Sequence, residues 1–146
     1  MRKDTTIVLL TTLMFFFSSL ICLAQPPRKS VSSKKSLPWL YDLSKAKLAA
    51  RAKHKLIVVD VFTDNCGWCK RLDHETFENP GVVDELGQRV IWLKLNARIS
   101  IDELKPYKID GFPTILILND SGKLVSSFSG YLPPEQFAEK IAMLLP

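Results

Sequence analysis

The sequence is poor in residues that cross-link small proteins or bind metals: it has three cysteines and two histidines among 146 residues. One cysteine, Cys22, lies in an apolar N-terminal stretch, which leaves only Cys66 and Cys69 for a folded domain. Two cysteines in one motif cannot form the several cross-links of a disulfide-stapled scaffold. A structural zinc site needs four ligands, and the sequence offers only these two with His74 and the distant His54, so a metal site is disfavoured. A c-type haem is excluded because a lysine follows the second cysteine.

The chain also lacks internal repeats, which excludes solenoids and propellers, and its length suits one ordinary domain. The net charge is +5, of which residues 1–24 contribute +1 and residues 25–36 contribute +4, leaving residues 37–146 close to neutral. No nucleic-acid signature accompanies the basic segment, so we expect no nucleic-acid partner. Residues 25–37 are rich in proline, serine and lysine, which predicts a flexible, solvated linker. Contact with an anionic membrane surface is the alternative.

The N-terminus has the pattern of an export signal. A positive start at Arg2 and Lys3 precedes an apolar stretch, and Cys22 and Ala24 fit a signal-peptidase site that would leave Gln25 as the mature N-terminus. We therefore predict a signal peptide over residues 1–24 and a periplasmic or secreted protein. A lipoprotein modified at Cys22 is disfavoured by the large Ile21 before it. An uncleaved membrane anchor remains the alternative, since residues 7–24 are at the short end of what spans a bilayer.

Apolar periodicity in the rest of the chain predicts alternating helices and strands, and therefore an α/β fold with a mixed sheet. A capping-box pattern, Ser100 followed three residues later by Glu103, predicts that a short helix starts at Ser100. The predicted elements are a helix from Pro38 to about Lys53, a strand over 56–62, a helix over 70–77, a short helix over 82–86, a strand over 89–95, a short helix from Ser100, a strand over 115–118, a return strand over 123–129 and a last helix opened by Pro133.

The pattern Cys66-Gly67-Trp68-Cys69 lies between a buried strand and a helix. A cysteine at a helix N-terminus has its thiolate stabilised by free amides and the helix dipole, which makes Cys66 the expected nucleophile for disulfide exchange. Cys69, one turn later, is the expected resolving cysteine. We expect Gly67 to permit a tight start of the helix and Trp68 to be an exposed aromatic contact for partners. A purely structural disulfide is disfavoured, because so short a loop restrains the unfolded chain little.

The run from Val58 to Lys70 resembles the active-site segment of thioredoxins, and residues 107–114 resemble their cis-proline segment. The resemblance extends over residues 38–145. The Gly-Trp pair and the signal are similar to those of exported thioredoxin-like proteins akin to the C-terminal domain of bacterial thiol:disulfide interchange proteins. The resemblance implies a thioredoxin-like domain over residues 38–146, with a central mixed sheet flanked by helices, a closing β-hairpin and a C-terminal helix.

The resemblance also implies roles for single residues. Pro113 would be the cis-proline that packs against the disulfide and presents backbone to a substrate. Asp60 would be the buried carboxylate that takes a proton from Cys69, and Lys94 would pair with that carboxylate. We assign Phe112 to substrate binding beside Pro113. We expect no cofactor and no metal.

These observations predict a thiol–disulfide oxidoreductase acting on protein disulfides, with a membrane or soluble thiol as electron donor, and a monomer. No histidine separates the cysteines to stabilise the thiolate further, which favours a reductase or isomerase. Asn65 and Trp68 stand where thioredoxins usually have Trp and Pro, so the redox potential and partner range stay open. The alternative is a non-catalytic binding or chaperone module, in which Trp68, Phe112 and Tyr131 form a peptide-binding surface.

Overall fold

The computed structural model describes residues 35–145. The predicted signal peptide and nearly all of the predicted linker lie outside the described residues. No helix within residues 35–145 is long and apolar enough to cross a membrane. The strands are β1 (Trp39–Leu40), β2 (Ile57–Phe62), β3 (Ile91–Asn96), β4 (Thr114–Leu118) and β5 (Leu124–Ser129). The helices are α1 (Leu43–Lys53), α2 (Gly67–Leu72), a π-helical turn (Asp73–Phe77), α3 (Pro80–Leu86), α4 (Ile101–Leu104) and α5 (Pro134–Ala142).

One five-stranded sheet has the order β1-β3-β2-β4-β5. Strands β1, β3 and β2 run parallel, whereas β4 and β5 run antiparallel to their neighbours. The central strands β2 and β4 are mostly apolar and almost fully buried, as expected for strands whose two faces are both covered by helices. The predicted mixed sheet, closing hairpin and C-terminal helix are confirmed.

Each face of the sheet carries its own core. Helices α1 and α4 cover one face, and α2, the π-helical turn, α3 and α5 cover the other. The core beneath α2, the π-helical turn, α3 and α5 is rich in aromatic rings. In it the Phe77 ring packs edge-on against Trp92 and Phe137, with ring centres 6.0 and 5.4 Å away. Edge-to-face packing of this kind suits the quadrupoles of aromatic rings. These contacts fix the helix that follows the cysteines against the sheet.

The prediction that the first helix starts at Pro38 is wrong. Helix α1 begins at Leu43, because the Asp42 side chain caps it and accepts the Lys45 amide at 2.9 Å. The preceding residues form strand β1, in which Trp39 and Leu40 pair with the free edge of β3. A two-residue strand has no periodicity of its own, so only the tertiary contact reveals it.

The predicted capping box is also wrong, although the short helix exists. Ser100 is the N-cap residue but makes no side-chain capping hydrogen bond. Glu103 instead accepts the backbone amide of Leu43 at 3.3 Å, at the start of α1. A neighbour distant in sequence therefore replaces the local partner.

The helix after the cysteines has two parts. Its first turns are α-helical over Gly67–Leu72, and it continues as a π-helical turn over Asp73–Phe77. The sequence predicts a helix here but not the wider turn. Single π-helical turns are concentrated at functional sites, which directs attention to the side chains that this turn presents.

Phe137 tests the aromatic core. Replacing this fully buried residue with Ala removes its contacts with Phe77 and Trp92, and should lower the free energy of unfolding by about 3–5 kcal/mol. Urea denaturation measures the change. The matched control is Leu48→Ala on α1, where the side chain is 66% exposed and the expected change is below about 0.5 kcal/mol. Equal effects of the two substitutions would contradict this account of the core.

Candidate redox site

The cysteines occupy the junction between β2 and α2. Cys66 is the N-cap residue of α2, and its Sγ accepts the Cys69 amide at 3.0 Å. The two residues form a disulfide, with Cα atoms 5.3 Å apart. Cys66 is half-buried, whereas Cys69 is only 3% exposed. The accessible sulfur is therefore the one at the helix N-terminus, where a thiolate is best stabilised.

Gly67 and Trp68 lie on the surface between the cysteines. The Trp68 side chain is 57% exposed, as expected for a contact with partners. The expectation for Gly67 is wrong: its φ angle is ordinary, and an added Cβ would meet no atom within 4 Å. The start of the helix therefore does not require glycine at this position.

Pro113 lies at the same end of the sheet as the cysteines. Thr114 of β4 pairs with Val61 of β2, so the chain before β4 lies beside the chain that leaves β2. The Phe112–Pro113 peptide bond is cis. Pro113 is buried, and its carbonyl accepts the Gly130 amide at 2.8 Å. Phe112 is 38% exposed beside it.

Asp60 is a buried charge in the middle of β2, with only 1% of its surface exposed. Its partner in the sheet register is Lys94 of β3, whose Nζ lies 3.2 Å from Asp60 Oδ2. The contact lacks hydrogen-bond geometry, so neither Asp60 oxygen has a hydrogen-bond partner among the described residues. Burial raises the pKa of Asp60 from 3.8 to about 6, the Lys94 charge opposes the rise, and the Asp73 charge reinforces it.

Lys94 is shared between two carboxylates. Its ammonium also contacts Asp73 Oδ1 at the start of the π-helical turn. The same ammonium lies 5.2 Å from the centre of the Phe62 ring and 5.3 Å from that of Trp39, within cation–π range. The rings shield the ion pair, and the Lys94 side chain is only 13% exposed.

Asp73 was not predicted as a site residue. It follows Cys69 by four positions on one helix, a spacing that places the two residues on the same helical face. The four-residue spacing between Cys69 and Asp73, together with a lysine in strand β3, is the sequence signal that could have identified Asp73. An open cavity of about 510 Å³ is bordered by Asp73, Lys94, Trp39 and Phe62. Solvent thus reaches the Asp73 carboxylate, whereas the Asp60 carboxylate on the other side of Lys94 stays buried.

Within residues 35–145, no three His, Cys, Asp or Glu side chains lie close enough together to hold a metal ion. The charged groups at the site instead form a cluster in which one lysine contacts two carboxylates. The arrangement can therefore supply a nucleophilic sulfur, a second sulfur to resolve its product and a buried carboxylate to hold a proton.

Comparison with known sequences identifies a family. A family model described as a thioredoxin-like domain matches residues 43–144. The thiol:disulfide interchange protein DsbD of Pseudoalteromonas atlantica is 32% identical over 105 residues, which cover 68% of this chain and 18% of that protein. A protein disulfide-isomerase of Datisca glomerata is 32% identical over 81 residues, covering 54% of this chain and 16% of the relative. The matched part thus spans less than a fifth of either relative's length.

Solved structures agree on the fold. A thioredoxin from Thermus thermophilus superposes with a TM-score of 0.66 at 21% identity, covering 75% of this chain and 87% of that one. The oxidised C-terminal domain of Neisseria meningitidis DsbD gives a TM-score of 0.58 at 19% identity, covering 72% and 97%. At these identities the likeness shows a shared fold.

Asp60 is expected to make stability depend on pH. With a pKa of about 6 in the folded chain and 3.8 as its ordinary value, ionisation of Asp60 disfavours folding, so its penalty is absent below pH 4 and complete above pH 6. A pKa difference of about two corresponds to about 3 kcal/mol. Asp60→Asn should therefore gain stability relative to the wild type between pH 4 and pH 8, by up to about that amount, as measured by urea denaturation at each pH.

The matched control is Asp84→Asn, since the Asp84 side chain is 66% exposed and its ion pair with Lys35 lies on the surface. Its stability difference from the wild type should stay nearly constant over the same pH range. A constant difference for Asp60→Asn as well would show that the buried carboxylate does not titrate as described.

Proposed function

Because the chain belongs to the thioredoxin-like domain family, we propose that it is an exported thiol–disulfide oxidoreductase that exchanges disulfides with protein substrates. The observation that carries the proposal is the asymmetry of the cysteine pair. Cys66 is half-accessible at the N-terminus of α2, and Cys69 is buried one turn later. One sulfur can meet a partner, while the other can reach only the first sulfur.

In the reduced protein, the Cys66 thiolate attacks one sulfur of a substrate disulfide. A Cys66–substrate bond forms, and the other substrate sulfur leaves as a thiolate. The Cys69 thiolate then attacks Cys66 Sγ, releases the second substrate thiolate and closes the Cys66–Cys69 disulfide. Two electrons pass from the protein to the substrate.

Asp60 has the properties of a proton acceptor for Cys69. Its raised pKa lets the carboxylate take a proton near neutral pH and return it in the reverse direction. In this proposal Lys94 holds the carboxylate in place, and the cis-Pro113 segment presents backbone to the substrate. Gly67, Trp68 and Phe112 form the exposed contact surface around the sulfur.

We propose the reductive or isomerising direction, because no histidine between the cysteines stabilises the Cys66 thiolate further. A reductase outside the cytoplasm needs electrons from a membrane-bound or soluble thiol donor. The thiol:disulfide interchange and disulfide-isomerase names of the relatives fit this direction. We further propose a monomeric domain over residues 38–146 that carries a linker over residues 25–37 and has no nucleic-acid partner.

Export is tested by the N-terminus of the processed protein. With Cys22 and Ala24 at the signal-peptidase positions, the N-terminal peptide of the protein recovered outside the cytoplasm, identified by mass spectrometry, should begin at Gln25. The control is Ala24→Tyr, whose large side chain should block cleavage. A chain that keeps residues 1–24 and sediments with membranes would identify the segment as an anchor.

The reduction potential tests the redox proposal. Equilibrating the protein with dithiothreitol or glutathione buffers should give a reduction potential near the roughly −270 mV of thioredoxin. That potential lies well below the roughly −120 mV of a strong oxidant. Cys66→Ser is the control and should show no redox transition. A value near that of the strong oxidant would overturn the proposed direction. If the wild-type cysteine pair cannot be cycled between its reduced and oxidised forms, the proposed enzyme activity is wrong. The protein would then be a binding or chaperone module that uses the exposed Trp68 and Phe112.

A further inference from the structure

Trp68 belongs to a stacked cluster on the surface beside the cysteines. The guanidinium carbon of Arg71 lies 4.6 Å from the centre of the Tyr131 ring and 5.4 Å from that of Trp68. The two ring centres are 6.1 Å apart. An arginine stacked on two aromatic rings holds both by dispersion and cation–π attraction. Trp68 is therefore an exposed side chain with defined neighbours.

The Glu75 carboxylate links two members of the cluster, Arg71 and Tyr131, by hydrogen bonds. Arg71 Nε donates to both carboxylate oxygens of Glu75, at 3.0 and 3.1 Å, and the Tyr131 hydroxyl donates to Oε2 at 2.6 Å. These hydrogen bonds, that of Tyr131 foremost, lower the pKa of Glu75. The carboxylate thus stays ionised and offsets the Arg71 charge, and the cluster presents rings with no net charge.

Two further hydrogen bonds fix Tyr131 relative to both motifs of the site. The Thr76 hydroxyl on the π-helical turn donates to the Leu132 carbonyl at 2.7 Å. On the other side, the Gly130 amide donates to the Pro113 carbonyl at 2.8 Å. Tyr131 is therefore held between the cysteine-bearing helix and the cis-proline segment.

We propose that Arg71, Glu75 and Tyr131 are positioning residues that hold Trp68 as a recognition surface for an aromatic or large aliphatic residue next to the substrate's reactive cysteine. The inference rests on the proposed function. Since Trp68 lies between Cys66 and Cys69, a polypeptide attacked by Cys66 brings the residues flanking its own cysteine over this ring. Recognition by Trp68 then becomes selection among disulfides.

The charge distribution favours an uncharged residue. A cationic side chain gains little from the Trp68 ring, because the Arg71 guanidinium already occupies the cation–π position over it. An acidic side chain gains little from Arg71, because the Glu75 carboxylate already offsets the Arg71 charge and repels a second carboxylate. An apolar ring or chain gains dispersion and burial from Trp68 and meets neither penalty.

The test uses cysteine peptides whose thiol is linked by a disulfide to 2-nitro-5-thiobenzoate and which differ only in the residue after the cysteine: Phe, Gly or Lys. The full chain is reduced with dithiothreitol and freed of it. Cys66 then bonds to the peptide sulfur and releases the coloured thiolate, and Cys69 displaces the reduced peptide while the protein disulfide forms. The quantity compared is the ratio of second-order rate constants for the Phe and Gly peptides, measured by stopped flow.

The wild type should react with the Phe peptide about two- to tenfold faster than with the Gly peptide, the range expected for one aromatic contact. The Lys peptide should resemble the Gly peptide. Arg71→Ala and Tyr131→Ala should bring the Phe/Gly ratio close to one. Tyr131→Phe keeps the ring but loses the hydrogen bond to Glu75, and should give an intermediate ratio.

Unfolded chains would react with both peptides without selectivity and would also bring the ratio toward one, so each variant is compared only after its circular dichroism spectrum matches that of the wild type. Arg71 lies on the surface, so Arg71→Ala keeps the test valid if Tyr131→Ala fails to fold. Leu48→Ala, on the exposed part of α1, is the control and should keep the wild-type ratio. A wild-type ratio of one overturns the inference alone, as does a ratio unchanged in Arg71→Ala. A chain that reacts with no peptide overturns the proposed function and the inference with it.

Discussion

The fold depends on the pairing of β2 with a neighbour on each side. This strand is buried on both faces, and it pairs with the parallel strand β3 and the antiparallel strand β4. Its position fixes where the chain leaves the sheet, and the cysteines follow directly. The register with β4 brings the cis-proline segment to the same end. The two motifs, which are more than forty positions apart in sequence, thus meet because one central strand is held from both sides.

The pairing of β2 with both neighbours also buries a charged residue, Asp60, that destabilises the fold. Burying the Asp60 carboxylate without a hydrogen bond destabilises the fold, and Lys94 offsets only part of that cost. Glu75 stands in the opposite environment: it is exposed and bonded to Arg71 and Tyr131, which lower its pKa. One carboxyl group is therefore the proposed proton acceptor near neutral pH, while the other keeps its charge in the exposed aromatic cluster. Environment, not residue type, separates the two roles.

Most of the architecture could be predicted from local patterns. The nearly continuous apolar runs around Val59 and Leu116 predict buried strands, and the cysteine pair between a strand and a helix predicts the site. The misses share one physical cause, which is contact between residues distant in sequence. Strand β1 exists only because the edge of β3 is free, and Glu103 bonds the start of α1 instead of its own helix.

In the site, the same limit applies. The Asp60–Lys94 pair was expected from a resemblance, whereas the contact of Lys94 with Asp73 requires knowing how the helix crosses the sheet. The π-helical turn over Asp73–Phe77 carries Asp73 to the buried ion pair, and Glu75 to the exposed aromatic cluster. Residues after a single deletion in a helix rotate by about 100° around its axis. Under the proposed function, the length of this turn is therefore a shared evolutionary constraint: changing it by one residue would alter proton handling and partner choice together, whereas point substitutions leave the two free to diverge.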